Sequence, residues 1–130
     1  MEDESRSKKL KELLKGSQSS GATAPGKPQD IGQAQFDQVL SKYPLIVIDF
    51  WAQRCQPWRM MAPLMDQLAA EYQSKVFFGK VNTDENIDLA NKLGIRNIPA
   101  FRIFKNSQLV DKAEGIVPKA QFKSMIDKHL

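Results

Sequence analysis

From about residue 30 onwards, apolar runs alternate with segments in which apolar side chains recur every three or four positions. The helical spacing predicts four helices, at residues 30–40, 57–72, 86–93 and 118–129. Apolar and β-branched runs predict strands at residues 45–50, 76–81, 100–105 and 109–114, the last two joined by a hairpin turn at residues 106–108. A further, very short strand is expected before the first helix. The predicted order is therefore β-α-β-α-β-α-β-β-α.

Several local signals refine these elements. The continuous apolar run at Leu45–Ile48 is typical of a central strand that is covered on both faces. Asp30 is a capping-type residue and is predicted to begin the first helix. Gly94 can adopt the left-handed conformation that closes the third helix. The methionines of the second helix, Met60, Met61 and Met65, are predicted to pack in the core rather than to contact a cofactor.

The first 27 residues differ in composition from the rest of the chain. Residues 16–28 are rich in Gly, Ser and Pro, which predicts a flexible linker. Before it, Leu10, Leu13 and Leu14 share one helical face among lysines, so residues 8–15 could form a docking helix. Helices shorter than about 12 residues are marginal alone, which favours a solvated, fraying extension. We therefore expect a flexible extension at 1–27 and a folded domain at 28–130.

Composition excludes some classes of protein and leaves others open. A chain of 130 residues suits one domain, and 19 Lys and Arg against 15 Asp and Glu give a net charge of only +4. That excess is too small to indicate nucleic-acid binding. No apolar run reaches the roughly 18 residues that span a bilayer, and no secretory signal is visible. A single cysteine excludes an internal disulfide and argues against a cysteine-based metal site, so we expect a cytoplasmic protein without metal or cofactor.

One stretch, at the junction of the second strand and the second helix, resembles a known family. It contains Asp49-Phe50-Trp51-Ala52 and then Arg54-Cys55-Gln56-Pro57-Trp58. The active site of the thioredoxin family has Asp-Phe-Trp-Ala, one variable residue and Trp-Cys-Gly-Pro-Cys. Further matches follow in order: Gly94-Ile95-Arg96, Ile98-Pro99, Phe104-Lys105-Asn106 and Gly115. The resemblance implies an α/β thioredoxin fold, a mixed sheet between helices, over about residues 30–130. Arg54, Gln56 and Trp58 depart from the family pattern.

Cys55 is the candidate nucleophile. It is predicted to lie at the start of a helix, where free backbone N–H groups and the helix dipole stabilise a thiolate. Arg54 would add a neighbouring positive charge, and Pro57 suits the first helical turn. The alternative is a small buried cysteine that packs as an apolar side chain. The position at the strand-to-helix turn favours a reactive thiol.

The resemblance also implies roles for other residues. Asp49 matches the family's buried aspartate, which assists proton transfer to the second cysteine, and Lys80 matches its partner lysine. With Trp58 in place of that cysteine, Asp49 could equally be a residual polar group of the core. Pro99 matches the family's cis-proline, beside which extended substrates add as a strand. The implied peptide groove is lined by Trp51, Arg54, Pro57, Trp58, Ile98, Pro99 and Gly115.

Two functions remain open. Dithiol exchange needs two sulfur atoms, so we expect weak or absent disulfide reductase activity. Cys55 alone could exchange with protein or small-molecule mixed disulfides, with a low-molecular-weight thiol completing the cycle. Alternatively, the domain is a non-catalytic module that binds extended peptides or a partner protein. An engineered Trp58 in an ordinary thioredoxin is disfavoured, because Arg54 and Gln56 differ as well. Whether Cys55 links two copies by a disulfide is also open.

Overall fold

The structure, a computed structural model, describes residues 23–53 and 56–130. Arg54, Cys55 and the predicted N-terminal helix at residues 8–15 lie outside the described residues. Within them the elements are β1 (Gln29–Asp30), α1 (Gln33–Lys42), β2 (Leu45–Trp51), α2 (Gln56–Glu71), β3 (Phe77–Asn82), α3 (Ile87–Lys92), β4 (Ala100–Lys105), β5 (Gln108–Glu114) and α4 (Lys119–Asp127). The predicted order of elements is confirmed.

The five strands form one mixed sheet in the order β1-β3-β2-β4-β5. β3 runs parallel to both β1 and β2, whereas β4 runs antiparallel to β2 and β5. The register places Asp30, Lys80 and Asp49 side by side on β1, β3 and β2. Because neighbours in register point to the same face of a sheet, these three side chains form a row across it.

The sheet has a core on each face, as the apolar run of β2 predicted. Leu45 and Val47 pack on one face with side chains of α2 and α4, such as Met65 and Phe122. Ile46 and Ile48 pack on the other face with residues of α1 and α3. Asp49 continues the first set, since alternate residues of a strand share a face. The strand therefore carries a carboxyl group into the layer between the sheet and α2.

The first helix does not begin at Asp30, and that prediction is wrong. Asp30 belongs to β1, where it pairs with Lys80, and α1 begins at Gln33 after Gly32. The backbone N–H of Gly32 donates to the Gln35 side chain at 2.9 Å, which satisfies one of the donors at this helix end. The short strand forms because the edge of β3 offers free backbone partners, a signal that the local sequence does not carry.

The placement of Met60 in the core is also wrong. Met61 and Met65 are buried, but Met60 is 68% exposed. The inward face of α2 is set by Met61, Met65 and Leu68, at the spacing of helical turns. Met60 is outside that stripe, so its side chain faces solvent one helical turn from the start of α2.

Two turns follow the sequence signals. Gly94, which follows the last helical residue of α3 and its cap Leu93, has φ +70°, the left-handed conformation that the sequence predicted there. The hairpin between β4 and β5 turns on Asn106 and Ser107, with φ values of 51° and 69°. Positive φ at both positions is characteristic of a two-residue type I′ turn. The turn is one residue shorter than predicted, because Gln108 already pairs with Lys105.

Candidate functional site

The candidate site lies where β2 ends and α2 begins. β2 ends at Trp51, and α2 begins at Gln56, the residue immediately after Cys55. The chain thus passes from a central strand to a helix start within four residues, as the sequence predicted. Cys55 itself lies outside the described residues, as does Arg54. Pro57 is exposed in the first turn of α2, and Trp58 beside it is half-buried.

Trp58 connects α2 to the sheet beneath it. Its indole N–H donates a hydrogen bond of 2.9 Å to Asp49 Oδ2. Its ring stacks on that of Trp51, with centroids 4.6 Å apart and planes inclined by 22°. These two contacts hold the Trp58 side chain against both a polar and an aromatic group of β2. Trp58 therefore covers Asp49, at the position where the family has its second cysteine.

Asp49 is in an unusual environment for a carboxyl group. It is 2% exposed, and its Oδ1 atom has no hydrogen-bond partner among the described residues. Burial raises the pKa of Asp49 to about 7, although the Trp58 hydrogen bond and the positive charge of Lys80 act in the opposite direction. The carboxyl group is therefore poised to gain or lose a proton near neutral pH.

Lys80 lies beside Asp49 in the sheet, but its ion pair is with another residue. Lys80 and Asp49 are register partners on β3 and β2. The Lys80 ammonium is 3.7 Å from Asp30 Oδ1, on the far side of Lys80. It affects Asp49 through its charge, whereas the hydrogen bond to that carboxyl comes from Trp58. The sequence indicated Lys80 as the partner of Asp49 and did not indicate Trp58.

The residues that were expected to form a peptide groove are described only in part. The Ile98–Pro99 peptide bond is cis, and Pro99 is buried directly before β4. The Gly115 N–H donates to the Pro99 carbonyl at 2.8 Å, so these two predicted groove residues are in contact. Gly115 has φ +80°, a left-handed conformation that favours glycine. Ile98 is partly buried beside them.

The described residues also contain polar groups far from this site. His129 Nε2 lies 3.2 Å from Asp111 Oδ2 at the end of α4, which gives the single histidine a structural partner. Within residues 23–53 and 56–130, no cluster of three or more His, Asp or Glu side chains could hold a metal ion. In the same part of the chain, no helix has the length and apolar character needed to cross a bilayer.

Comparisons with known proteins agree with the fold. A family model described as Thioredoxin matches residues 27–128. Thioredoxin 1 of Synechococcus elongatus is 46% identical over 101 residues, 77% of this chain and 94% of its own length. Thioredoxin 1 of Nostoc sp. is 45% identical over 93 residues, 72% of this chain and 87% of its own length.

A solved structure shows the same architecture. A mutant thioredoxin from Halobacterium salinarum superposes with a TM-score of 0.77 at 29% identity, over 84% of this chain and 96% of its own. The match to the family model spans all the strands and helices of the fold. The chain belongs to the thioredoxin family and has the thioredoxin fold.

Proposed function

We propose that the protein is a thiol-disulfide exchange protein with one active sulfur atom, that of Cys55. The observation that carries this proposal is the contact of Trp58 with Asp49. Trp58 occupies the position of the second cysteine, and its indole N–H donates to the carboxylate that assists that cysteine in the family. The chain contains no other cysteine to replace it. An intramolecular second step therefore has no sulfur atom to carry it out.

The proposed reaction has two exchange steps. The Cys55 thiolate attacks the sulfur of a small thiol in a mixed disulfide R–S–S–R′, forms Cys55–S–S–R′, and releases R–S⁻. A second small thiolate R′–S⁻ then attacks Cys55–S–S–R′, releases the Cys55 thiolate and leaves as R′–S–S–R′. The protein thiol R is reduced, and the second small thiol is oxidised as it joins the first in R′–S–S–R′. A cytoplasmic setting fits, since it keeps such thiols reduced.

Substrate proteins would bind as extended segments beside the active sulfur. The contact between Pro99 and Gly115 supports this part of the proposal, because it fixes the backbone at the start of β4. Two exposed apolar side chains, Met60 and Ile116, are close in sequence to predicted groove residues and would add apolar contact area. A protein substrate and a low-molecular-weight thiol are thus the two proposed partners.

Alkylation of Cys55 tests whether the sulfur is activated. We expect the rate of reaction with iodoacetamide to be high already near neutral pH and to fall only in acid, because the start of α2 stabilises a thiolate. The control is a short peptide with one cysteine, for which half of the maximal rate is reached near pH 8.5. A rate profile of the native protein like that of the peptide would contradict the proposal.

Replacement of Trp58 tests the loss of the dithiol reaction. The native protein is expected to reduce insulin no faster than its Cys55→Ser variant, whereas Trp58→Cys is expected to gain reductase activity with dithiothreitol. Insulin reduction by the native chain at the rate of an ordinary thioredoxin would refute the single-sulfur mechanism.

Non-reducing electrophoresis of native and Cys55→Ser protein will show whether Cys55 links two copies.

A non-catalytic binding module is the second candidate. The stacked pair of Trp51 and Trp58 favours it, since the second tryptophan covers Asp49 and closes part of the active-site surface. This candidate requires that Cys55→Ser binds partner peptides as tightly as the native chain, and that Cys55 is no more reactive than a free cysteine. Rapid alkylation at neutral pH distinguishes the two functions.

A further inference from the structure

An open cleft lies beside the candidate site, at the ends of the parallel strands. It has a volume of about 590 Å³ and is lined by residues that include Asp30, Trp51, Gln53, Lys80, Asn82 and Glu85. Asp30, Trp51 and Asn82 are the last residues of β1, β2 and β3. Small molecules bind in α/β proteins preferentially outside the carboxyl ends of such strands. The volume is within the usual range for small-molecule sites.

The cleft contains both signs of charge at close range. Lys80 supplies a cation, and its ammonium group is 3.7 Å from Asp30. The Asp30 side chain remains 79% exposed, and Glu85 is also exposed. A ligand with one carboxylate and one ammonium group can pair with Lys80 and with one of the acidic side chains at the same time. A purely anionic ligand would instead meet two negative charges.

Trp51 also belongs to this lining. Its ring stacks on that of Trp58, and its indole nitrogen is buried, so the N–H is not open to a ligand in the cleft. The Lys80 cation is therefore the group that favours an acceptor such as a carboxylate at this end of β2 and β3.

We propose that the cleft binds a small zwitterion, namely an amino-acid-derived thiol with a free carboxylate and a free ammonium group. Lys80 would hold the carboxylate, and Asp30 or Glu85 the ammonium. The assignment of a thiol rests on the proposed function, which requires an external thiol to release Cys55. Gln53 lines the cleft and is two positions before Cys55 in the sequence, which supports a thiol as the ligand.

Binding can be measured without any exchange reaction. The full chain with Cys55→Ser is titrated with S-methylglutathione and, separately, with S-methylcysteine, and amide shifts are followed by NMR. Both probes carry a free α-ammonium group, a free α-carboxylate and a blocked sulfur. S-methylglutathione has a second carboxylate, so the pair distinguishes a γ-glutamyl peptide from a simple amino acid. We expect saturable shifts of the Gly32, Lys80, Asn82 and Glu85 amides with at least one probe. Unchanged or non-saturating shifts of these amides with both probes would overturn the proposal.

Matched charge changes locate the site. Lys80→Gln removes the proposed carboxylate partner, and Lys75→Gln makes the same charge change at an exposed position before β3. We expect Lys80→Gln to weaken binding about tenfold, the effect of losing one charge-assisted hydrogen bond, and Lys75→Gln to leave it unchanged. Equal affinities of the two variants would overturn the assignment of Lys80.

A second pair of variants changes acidic side chains that lie outside the β-strands, so the sheet itself is not altered. Glu85→Gln changes an exposed side chain of the cleft, and Asp88→Asn changes an exposed acidic side chain of α3 that does not line it. Weaker binding in Glu85→Gln alone would support an ammonium subsite there. If neither Glu85→Gln nor Asp30→Asn weakens binding, the zwitterion assignment is refuted.

The exchange assay separates this proposal from the proposed function. If Lys80→Gln catalyses thiol-disulfide exchange as fast as the native chain at low thiol concentration, Cys55 is active but the cleft does not supply its thiol. If the probes bind as predicted and the native chain has no exchange activity, the proposed function fails, and the cleft remains a zwitterion site of another use.

Discussion

The two ends of α2 hold carboxyl groups in opposite environments. At its start, Asp49 is buried under Trp58 with one oxygen unpartnered, and its pKa is raised to about 7. At its end, Glu71 is exposed and accepts hydrogen bonds from Lys119 at 2.6 Å and Lys123 at 2.7 Å, which lower its pKa to about 2. The end with Glu71 joins α2 to α4. The start retains a carboxyl group whose ionisation is unfavourable in the folded protein.

This difference indicates that the end of α2, and not its start, is optimised for stability. Glu71 has two cationic partners, and its lowered pKa keeps it ionised at neutral pH. Asp49 has a neutral donor and a lysine that is paired with Asp30. Buried carboxyl groups with perturbed pKa values occur preferentially at functional sites, although ion-pair networks can perturb them as well. The comparison therefore supports a functional role for the start of α2.

The largest predicted effect is on the pH dependence of stability. The folded-state pKa of Asp49 lies above its unfolded value of 3.8, so its ionisation destabilises the native state as pH rises from about 4 to 7. Asp49→Asn removes this effect. We expect the variant to gain about 2 kcal/mol or more in relative stability between pH 5 and pH 8. Urea unfolding at the two pH values measures it, and an equal difference from the native chain at both would contradict the raised pKa.

Glu71, the exposed carboxyl group, is expected to give the opposite dependence of stability on pH. The pKa of Glu71 is lowered, so its contribution to stability is present above its unfolded value of 4.5 and is lost as the pH falls towards about 2. Glu71→Gln should therefore destabilise the protein at pH 7 and have no effect near pH 2. Because the pair with the lysines is exposed, the effect at pH 7 should also decrease in high salt. Thermal unfolding at both pH values checks this sign.

Trp58→Phe tests the hydrogen bond at the start of α2. The variant keeps an aromatic ring for stacking on Trp51 but leaves Asp49 Oδ2 without its donor. We expect a loss of about 1–3 kcal/mol in the free energy of unfolding at pH 8. Trp51→Phe is the matched control, because its N–H has no protein partner among the described residues and its removal breaks no such bond. Equal losses in the two variants would contradict this assignment.

The smallest effect is expected beyond the end of α2. The Tyr72 hydroxyl lies 2.6 Å from Asp127 Oδ1 and links the residue after α2 to α4. Tyr72→Phe removes this hydrogen bond and leaves the ring in the core, so we expect a loss of about 1 kcal/mol. Urea unfolding at pH 7 measures it. Activity towards mixed disulfides should not change, since Tyr72 is distant in sequence from Cys55 and lies at the other end of α2.

The sequence predicted those parts of the fold that depend on local patterns. The apolar run of β2, the helical stripes and the conformation of Gly94 all follow from such patterns, and the structure confirms them. The sequence predicted a very short strand before the first helix but not that it includes Asp30, because two residues carry no period and the strand forms only against the free edge of β3. Met60 was misplaced because it was grouped with Met61 and Met65, which are buried, although it lies outside their helical stripe.

The candidate site was predicted as a set of residues but not as a set of contacts. The motif identified Asp49, Lys80 and Pro99 through the family resemblance. The hydrogen bond from Trp58 depends on how α2 crosses β2, which no local pattern specifies. One signal could have indicated it: Trp58 stands where the family has the cysteine that its buried aspartate assists. The cleft beside Lys80 requires three strand ends to meet and was not predicted.

The transfer of a small thiol from a peptide mixed disulfide tests the central claim most directly. The native chain, Cys55→Ser and Trp58→Cys are compared with a glutathionylated peptide as substrate and reduced glutathione as the second thiol. We predict catalysis by the native chain, none by Cys55→Ser, and insulin reduction only by Trp58→Cys. If the native chain and Cys55→Ser leave the rate of the uncatalysed reaction equally unchanged, the protein is not a thiol-exchange catalyst.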